Sequence, residues 1–181
     1  KIAYALGDAA AGGIVWKVMS IAFPLFFTNV FGLSFADAAV LMLVARMFDV
    51  VTDPLMGTLA DRTQSRLGTY RPWLIYGAIP FGLIFAFLLY TPDFGPVGKR
   101  IYAYALYLLM MAVYTMVNVP YGSLLGVMTD DDDEQNQFSS FRMVGAYAMG
   151  FVTLLSFPYL QKMVGGTAAH QYAVIGAVLG I

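Results

Sequence analysis

A succession of apolar runs, each long enough to cross a lipid bilayer, constrains this chain more than any other feature. A membrane-spanning helix needs roughly 20 apolar residues. Five runs of that kind can be read, at about 2–30, 35–60, 72–91, 100–128 and 138–164, and a sixth opens at 169–181, still incomplete at Ile181. Charged residues are 12% of the chain, about half the usual share of a soluble domain, roughly 25%. They cluster between the runs. The expected fold class is therefore an all-α membrane protein. Ser34 with Asp37 three residues on is a capping-box start for the second helix. Thr91-Pro92-Asp93, Gly95-Pro96 and Gly165-Gly166 are breaks.

The balance of charge and the missing residue types exclude several functions. A net charge of −1 does not supply the basic face that nucleic acid needs. The absence of cysteine removes disulfides, thiolate chemistry and most zinc sites. The single histidine, His170, has no nucleophile–carboxylate neighbourhood, so no enzyme is expected. Asp8 and Lys17 inside the first run argue against a cleavable signal peptide. Position 1 is Lys and the chain stops inside an apolar run, so it is expected to be truncated at both ends.

Basic residues in short loops set orientation. Arg62, Arg66 and Arg71 sit between the second and third helices, whereas the next loop has only Lys99 and Arg100. The three-arginine loop and the N-terminus are expected on the cytoplasmic side.

Polar residues inside the runs carry the functional argument. An Asp, Lys or Arg at mid-membrane costs roughly 2.5–3.5 kcal/mol, and the second helix has Arg46, Asp49 and Asp53, on the order of 8–10 kcal/mol together. Helical spacing puts the three on one side, with Thr52 beside them. Two carboxylates one turn apart with a nearby hydroxyl suit a hard cation or a proton. A purely structural Arg46–Asp49 bridge is the alternative. Lys17, Asp49 and Thr115 fall at similar depth, near the middle of the bilayer, where transporters place their sites. Trp16 precedes Lys17, and Tyr114, Thr115 and Asn118 lie together on the fourth helix. Asn118 also suits interhelical hydrogen bonding, and Lys17 also suits simple neutralisation of an Asp.

Pro24, Pro54 and Pro120 are expected to kink or unwind their helices. Tyr102, Tyr104 and Tyr107 read as an interfacial belt. The acidic run 130–134 lacks calcium-loop spacing and reads as a solvated turn.

The segment Leu43-Val-Ala-Arg-Met-Phe-Asp-Val-Val-Thr-Asp-Pro-Leu-Met-Gly57, continued by Asp61-Arg-Thr-Gln-Ser-Arg-Leu-Gly-Thr-Tyr-Arg-Pro-Trp73, resembles the glycoside–pentoside–hexuronide:cation symporters. These form the melibiose-permease branch of the major facilitator superfamily. Tyr114-Thr-Met-Val-Asn-Val-Pro-Tyr-Gly-Ser-Leu124 and Phe138-Ser-Ser-Phe-Arg142 agree with that family's fourth and fifth helices. The resemblance implies the N-terminal six-helix bundle, a 3+3 repeat, whose partner is the C-terminal half of the same transporter.

It also implies roles. Asp49, Asp53 and Thr115 match the cation ligands, with Thr52 where the melibiose branch has an Asn. Arg142 matches a sugar-binding arginine. Asn118 stands in place of a sugar-binding Asp, and Gly122 in place of a stacking Trp. Ala11 and Gly12 stand where that branch has a Lys-Asp pair. The pattern is closer to the xyloside or glucuronide branches. Tyr114, Lys17 and Trp16 complete the expected substrate set, Trp16 either as a stacking platform or as packing. Arg46, Asp61, Arg62, Gly68 and Arg71 are the expected structural and gating residues, the last four in the superfamily's hinge loop.

The expected function is cation-coupled import of a sugar or glycoside by alternating access. It would operate in the bacterial inner membrane, without cofactor. The coupling ion is H⁺, with Na⁺ at Asp49 and Asp53 the alternative, because Thr52 offers a shorter oxygen than the family's Asn. A major facilitator exporter of other solutes, or a non-transporting receptor or channel, are the competing readings.

Overall fold

The computed structural model describes residues 4, 7, 13, 14, 16, 20, 23–92, 94–129 and 131–180. Within them a short helical turn, α1 (Phe23–Leu25), leads into a π-helical turn (Phe26–Val30). The helices α2 (Phe35–Asp61), α3 (Arg71–Leu88), α4 (Pro96–Met128), α5 (Asp132–Val164) and α6 (Ala168–Gly180) follow. The described residues contain no strand.

Local chemistry explains the boundaries. Ser34 Oγ accepts from the Asp37 N–H at 3.1 Å and donates to Asp37 Oδ2 at 2.7 Å, so the cap of α2 is reciprocal. Just after Pro24 the backbone passes from the α1 turn into π geometry, where Phe31 N–H reaches back to the Phe26 carbonyl at 2.8 Å. By contrast, α2 and α4 continue through Pro54 and Pro120.

Two helix starts differ from the sequence reading. α4 begins at Pro96 rather than near Arg100, because proline is preorganised for the first helical position and needs no N–H there. α5 begins at Asp132 rather than Phe138, so most of the acidic run is a helix start and not a free turn. Asp131 caps it by accepting from the N–H groups of Asp133 and Glu134. Asp132, Asp133 and Glu134 place negative charge against the positive end of the helix dipole.

α3 packs between α4 and α6, α2 lies along α4, and α6 also touches α5 and the π-helical turn. Gly77 lets α3 approach α4: a Cβ there would meet Val117 Cγ2 at 2.6 Å. Gly13 likewise lies close against α5, where a Cβ would meet Met149 Cβ at 2.8 Å.

The core is aromatic and lies toward the starts of α2 and α4. Phe23, Phe26, Phe27, Phe31 and Phe85 are all essentially inaccessible. Tyr107 packs edge-on against Phe23 and Phe27. Tyr107 is thus a core residue, not part of an interfacial belt. Residues 102, 104 and 107 point in different directions round a helix of 3.6 residues per turn. The Tyr102 hydroxyl donates to the Phe87 carbonyl at 2.7 Å and that of Tyr104 to the Asp37 carbonyl at 3.0 Å.

Among the described residues α3, α4 and α5 are long and apolar enough to cross a membrane. α2 has the length, 27 residues, about 40 Å, but carries Arg46, Asp49 and Asp53 through its middle. Large apolar side chains such as Leu43, Val50, Phe141, Val144, Phe151 and Leu155 face outward. Such surfaces are stable against lipid or further helices, not against water.

Candidate functional site

α2 and α4 run parallel. Arg100 Nη2 reaches Asp37 Oδ2 at 3.0 Å near the start of both helices. Further along both, the Thr115 hydroxyl donates to Asp53 Oδ1 at 2.8 Å. One turn before Asp53, Asp49 Oδ2 lies 3.6 Å from Arg46 Nη1. Asp49 Oδ1 is buried and, among the described residues, accepts no hydrogen bond. A buried carboxylate oxygen without a donor is costly, and it is the kind of atom that a cation or a proton would satisfy.

The Arg46 guanidinium lies over the Trp16 ring, 4.9 Å from its centre. That ring stacks on Tyr114 with centroids 5.2 Å apart. Trp16, Arg46, Asp49, Asp53, Tyr114, Thr115 and Asn118 together line a cavity of about 200 Å³. Seven residues singled out from the sequence therefore meet at one place, three from α2, three from α4, and Trp16.

Others lie elsewhere. Thr52 is not among the lining residues; its hydroxyl donates back along α2 to the Phe48 carbonyl at 3.1 Å. Arg142, on α5, lies near Gly122, where a Cβ would come 3.9 Å from Arg142 Nη1. Lys17 falls outside the described residues, as do Ala11 and Gly12. Among the described residues no third Asp, Glu or His joins the two carboxylates.

The loop after α2 is held by side chains. Tyr70 OH donates to Asp61 Oδ1 at 2.8 Å, and this bond holds the Tyr70 hydroxyl above the usual phenol range, with desolvation and the Asp61 charge adding to it. Trp73 Nε1 donates to Thr63 Oγ1 at 3.1 Å, and Ser65 Oγ to the Gly68 carbonyl at 3.0 Å. Gly68 has φ +92°, a left-handed conformation that favours glycine. Arg71 and Gly68 line a second cavity of about 360 Å³, shared with Leu124, Val127 and Met128 at the end of α4. Arg62 is the C-terminal cap residue of α2.

The model of the MFS/sugar transport protein family matches residues 3–181. The chain belongs to that family. Within it, the relatives place the chain among the glycoside–pentoside–hexuronide:cation symporters, as an N-terminal part. It is 44% identical to the "Putative glycoside/cation symporter YagG" of Escherichia coli K12, over all of this chain and 39% of that protein. It is 42% identical to the inner membrane symporter YicJ of the same organism, over 92% of this chain and 36% of that one. Identity to the isoprimeverose transporter of Lactiplantibacillus pentosus is 29%, over all of this chain and 38% of that protein. The chain thus spans less than two fifths of the length of these relatives. Family and helices together make it a multi-pass membrane protein.

The sequence reading did not find the Asp37–Arg100–Tyr104 contacts or the Trp16–Arg46 pair. The only signal for the first was a pair of opposite charges near the starts of two runs. Trp16 and Arg46 were each singled out, but nothing in the sequence paired them.

Proposed function

We propose that the chain is the N-terminal part of a symporter that imports a sugar or glycoside with a cation, H⁺, across the bacterial inner membrane. The observation that carries this is the cavity in which Asp49, Asp53 and Thr115 converge, with one Asp49 oxygen buried and unpartnered. Two carboxylates so placed are expensive when both are charged. A proton or Na⁺ on Asp49/Asp53 neutralises part of that charge and stabilises the form that binds sugar. The ion gradient then drives accumulation. The printed names of the relatives support the glycoside/cation and inner-membrane parts of the reading.

Sugar would be bound by Arg142, Asn118 and Tyr114, with Trp16 and Lys17 beside them. At about 200 Å³ the cavity is smaller than the roughly 300 Å³ and more of typical ligand pockets. The remaining wall is assigned to the C-terminal half, which rocks against this one. The loop holding Asp61, Arg62, Gly68 and Arg71 acts as the hinge between them, on the cytoplasmic side with the N-terminus.

The test is uptake of a panel of radiolabelled glycosides by vesicles holding the full-length transporter, under an imposed pH gradient or an imposed Na⁺ gradient. Gradient-driven accumulation of at least one glycoside is expected. Its absence under both gradients would remove the symport reading in favour of a receptor or channel.

A further inference from the structure

Trp16 and Arg46 line two cavities at once. One holds the acid pair. The other, of about 150 Å³, is lined by Trp16, Ser20, Met42, Arg46, Tyr107 and Met111. Met42 precedes Arg46 by one turn on α2, and Tyr107 and Met111 precede Thr115 by about two turns and one on α4. This upper cavity therefore sits above the acid cavity along the helix axes, toward the starts of α2 and α4. Among the described residues, Trp16 and Arg46 are common to both linings.

This shared pair is braced. The guanidinium lies over the indole, the indole stacks on Tyr114, and the guanidinium reaches Asp49. An aromatic ring and a positive charge, the latter on a side chain 63% exposed, thus border two spaces that both carry polar groups. Ser20 and Tyr107 bring hydroxyls to the upper cavity, which is large enough for several waters. A free cation moving from the upper cavity toward Asp49 would meet the guanidinium first, and like charge repels it.

We propose that the Trp16–Arg46 pair is a septum that closes the acid cavity against the upper one. A cation arriving from the end where α2 and α4 begin passes only when the guanidinium leaves the ring. The identity of that traffic rests on the symport reading; the barrier between the cavities does not. Trp16 is, on this account, a partition as well as a wall of the substrate space.

The experiment uses the full-length transporter in sealed vesicles of both orientations, in a background without other reactive cysteines. The probe is an impermeant thiol reagent bearing a quaternary ammonium. Ser20→Cys reports the upper cavity and Asn118→Cys the acid cavity. If the septum is open only as a minor state, Asn118→Cys should label at least about tenfold more slowly than Ser20→Cys from the face where α2 and α4 begin. Adding Trp16→Ala, or separately Arg46→Gln, should bring the two rates together from that face and leave labelling from the other face unchanged. Two variants guard against one of them failing to insert. Equal rates with the pair intact, a ratio unmoved by either variant, or faster labelling from both faces alike would overturn the septum. Failure of the symport reading would show separately, as absent gradient-driven glycoside uptake by the parent, with the labelling ratio still measurable.

Discussion

Thr115 Oγ1 donates to Asp53 Oδ1 at 2.8 Å and so ties α4 to α2, from a donor only 4% exposed to an acceptor that stays open to the cavity. Hydrogen bonds to charged groups contribute about 1.5–3 kcal/mol. Thr115→Val should therefore weaken the apparent affinity for the coupling cation by roughly ten- to a hundredfold, and Thr115→Ser should restore most of it. The dependence of glycoside uptake on cation concentration is the measurement.

Asp53→Asn should abolish accumulation against a gradient while membrane insertion is retained. The change removes a charge from the cavity and adds no insertion cost. Uptake by energised vesicles, set beside the amount of protein in the membrane fraction, decides it. Undiminished uphill uptake would remove Asp53 from the cation site.

The choice between H⁺ and Na⁺ turns on the count of oxygens. Thr52 directs its hydroxyl to the Phe48 carbonyl, which leaves Asp49, Asp53 and Thr115 as the cavity's oxygen ligands once Tyr114 and Asn118 are given to the sugar. A hard metal ion prefers about six oxygens, whereas a proton needs one carboxylate. Lowering external pH should raise uptake, with little response to added NaCl at fixed pH. Strong Na⁺ stimulation that is lost in Asp49→Ala would establish a sodium site instead.

Thr69→Cys should react with an impermeant thiol reagent only in inside-out vesicles, since the Arg62, Arg66 and Arg71 loop is read as cytoplasmic. In the same loop, ionisation of Tyr70 should be shifted to higher pH than that of an ordinary phenol, because its hydroxyl donates to Asp61. The bond's contribution is thus fully present below the ordinary phenol range and is lost as pH rises through the raised value. Ultraviolet difference titration of the parent against Tyr70→Phe measures it.

The Asp37–Arg100 pair is half in water, with side chains 24% and 57% exposed. A thermal-stability double-mutant cycle with Asp37→Asn and Arg100→Gln should give a coupling of at most about 1 kcal/mol. Exchanging the two charges should recover part of it.

What was legible in the sequence was whatever defied its surroundings. Arg46, Asp49 and Asp53 stand out because lipid penalises them, and helical spacing alone puts them on one side. Depth counting put Lys17, Asp49 and Thr115 at one level; Asp49 and Thr115 do line one cavity, together with Trp16, the neighbour of Lys17. The sequence reading set the start of α5 too late because it followed hydropathy, whereas Asp131 and the acidic first turn are favoured by the helix dipole. Tyr107 was misplaced because an aromatic near a helix end suits a membrane interface and a core equally well. Contacts between helices, such as Arg100 with Asp37, leave no periodic trace in one sequence.

The two bonds between α2 and α4 make that pair a lever. Asp37 and Asp53 are sixteen residues apart, about 24 Å along the axis. With the Asp37–Arg100 end as fulcrum, a parting of about 1 Å between Asp53 and Thr115 corresponds to a swing of only about 2–3°. Asp61 lies eight residues further, so the same swing separates the far ends by about 1.5 Å. The α2 end carries the Asp61–Arg71 loop, and a small parting at the carboxylates would reach it enlarged by half.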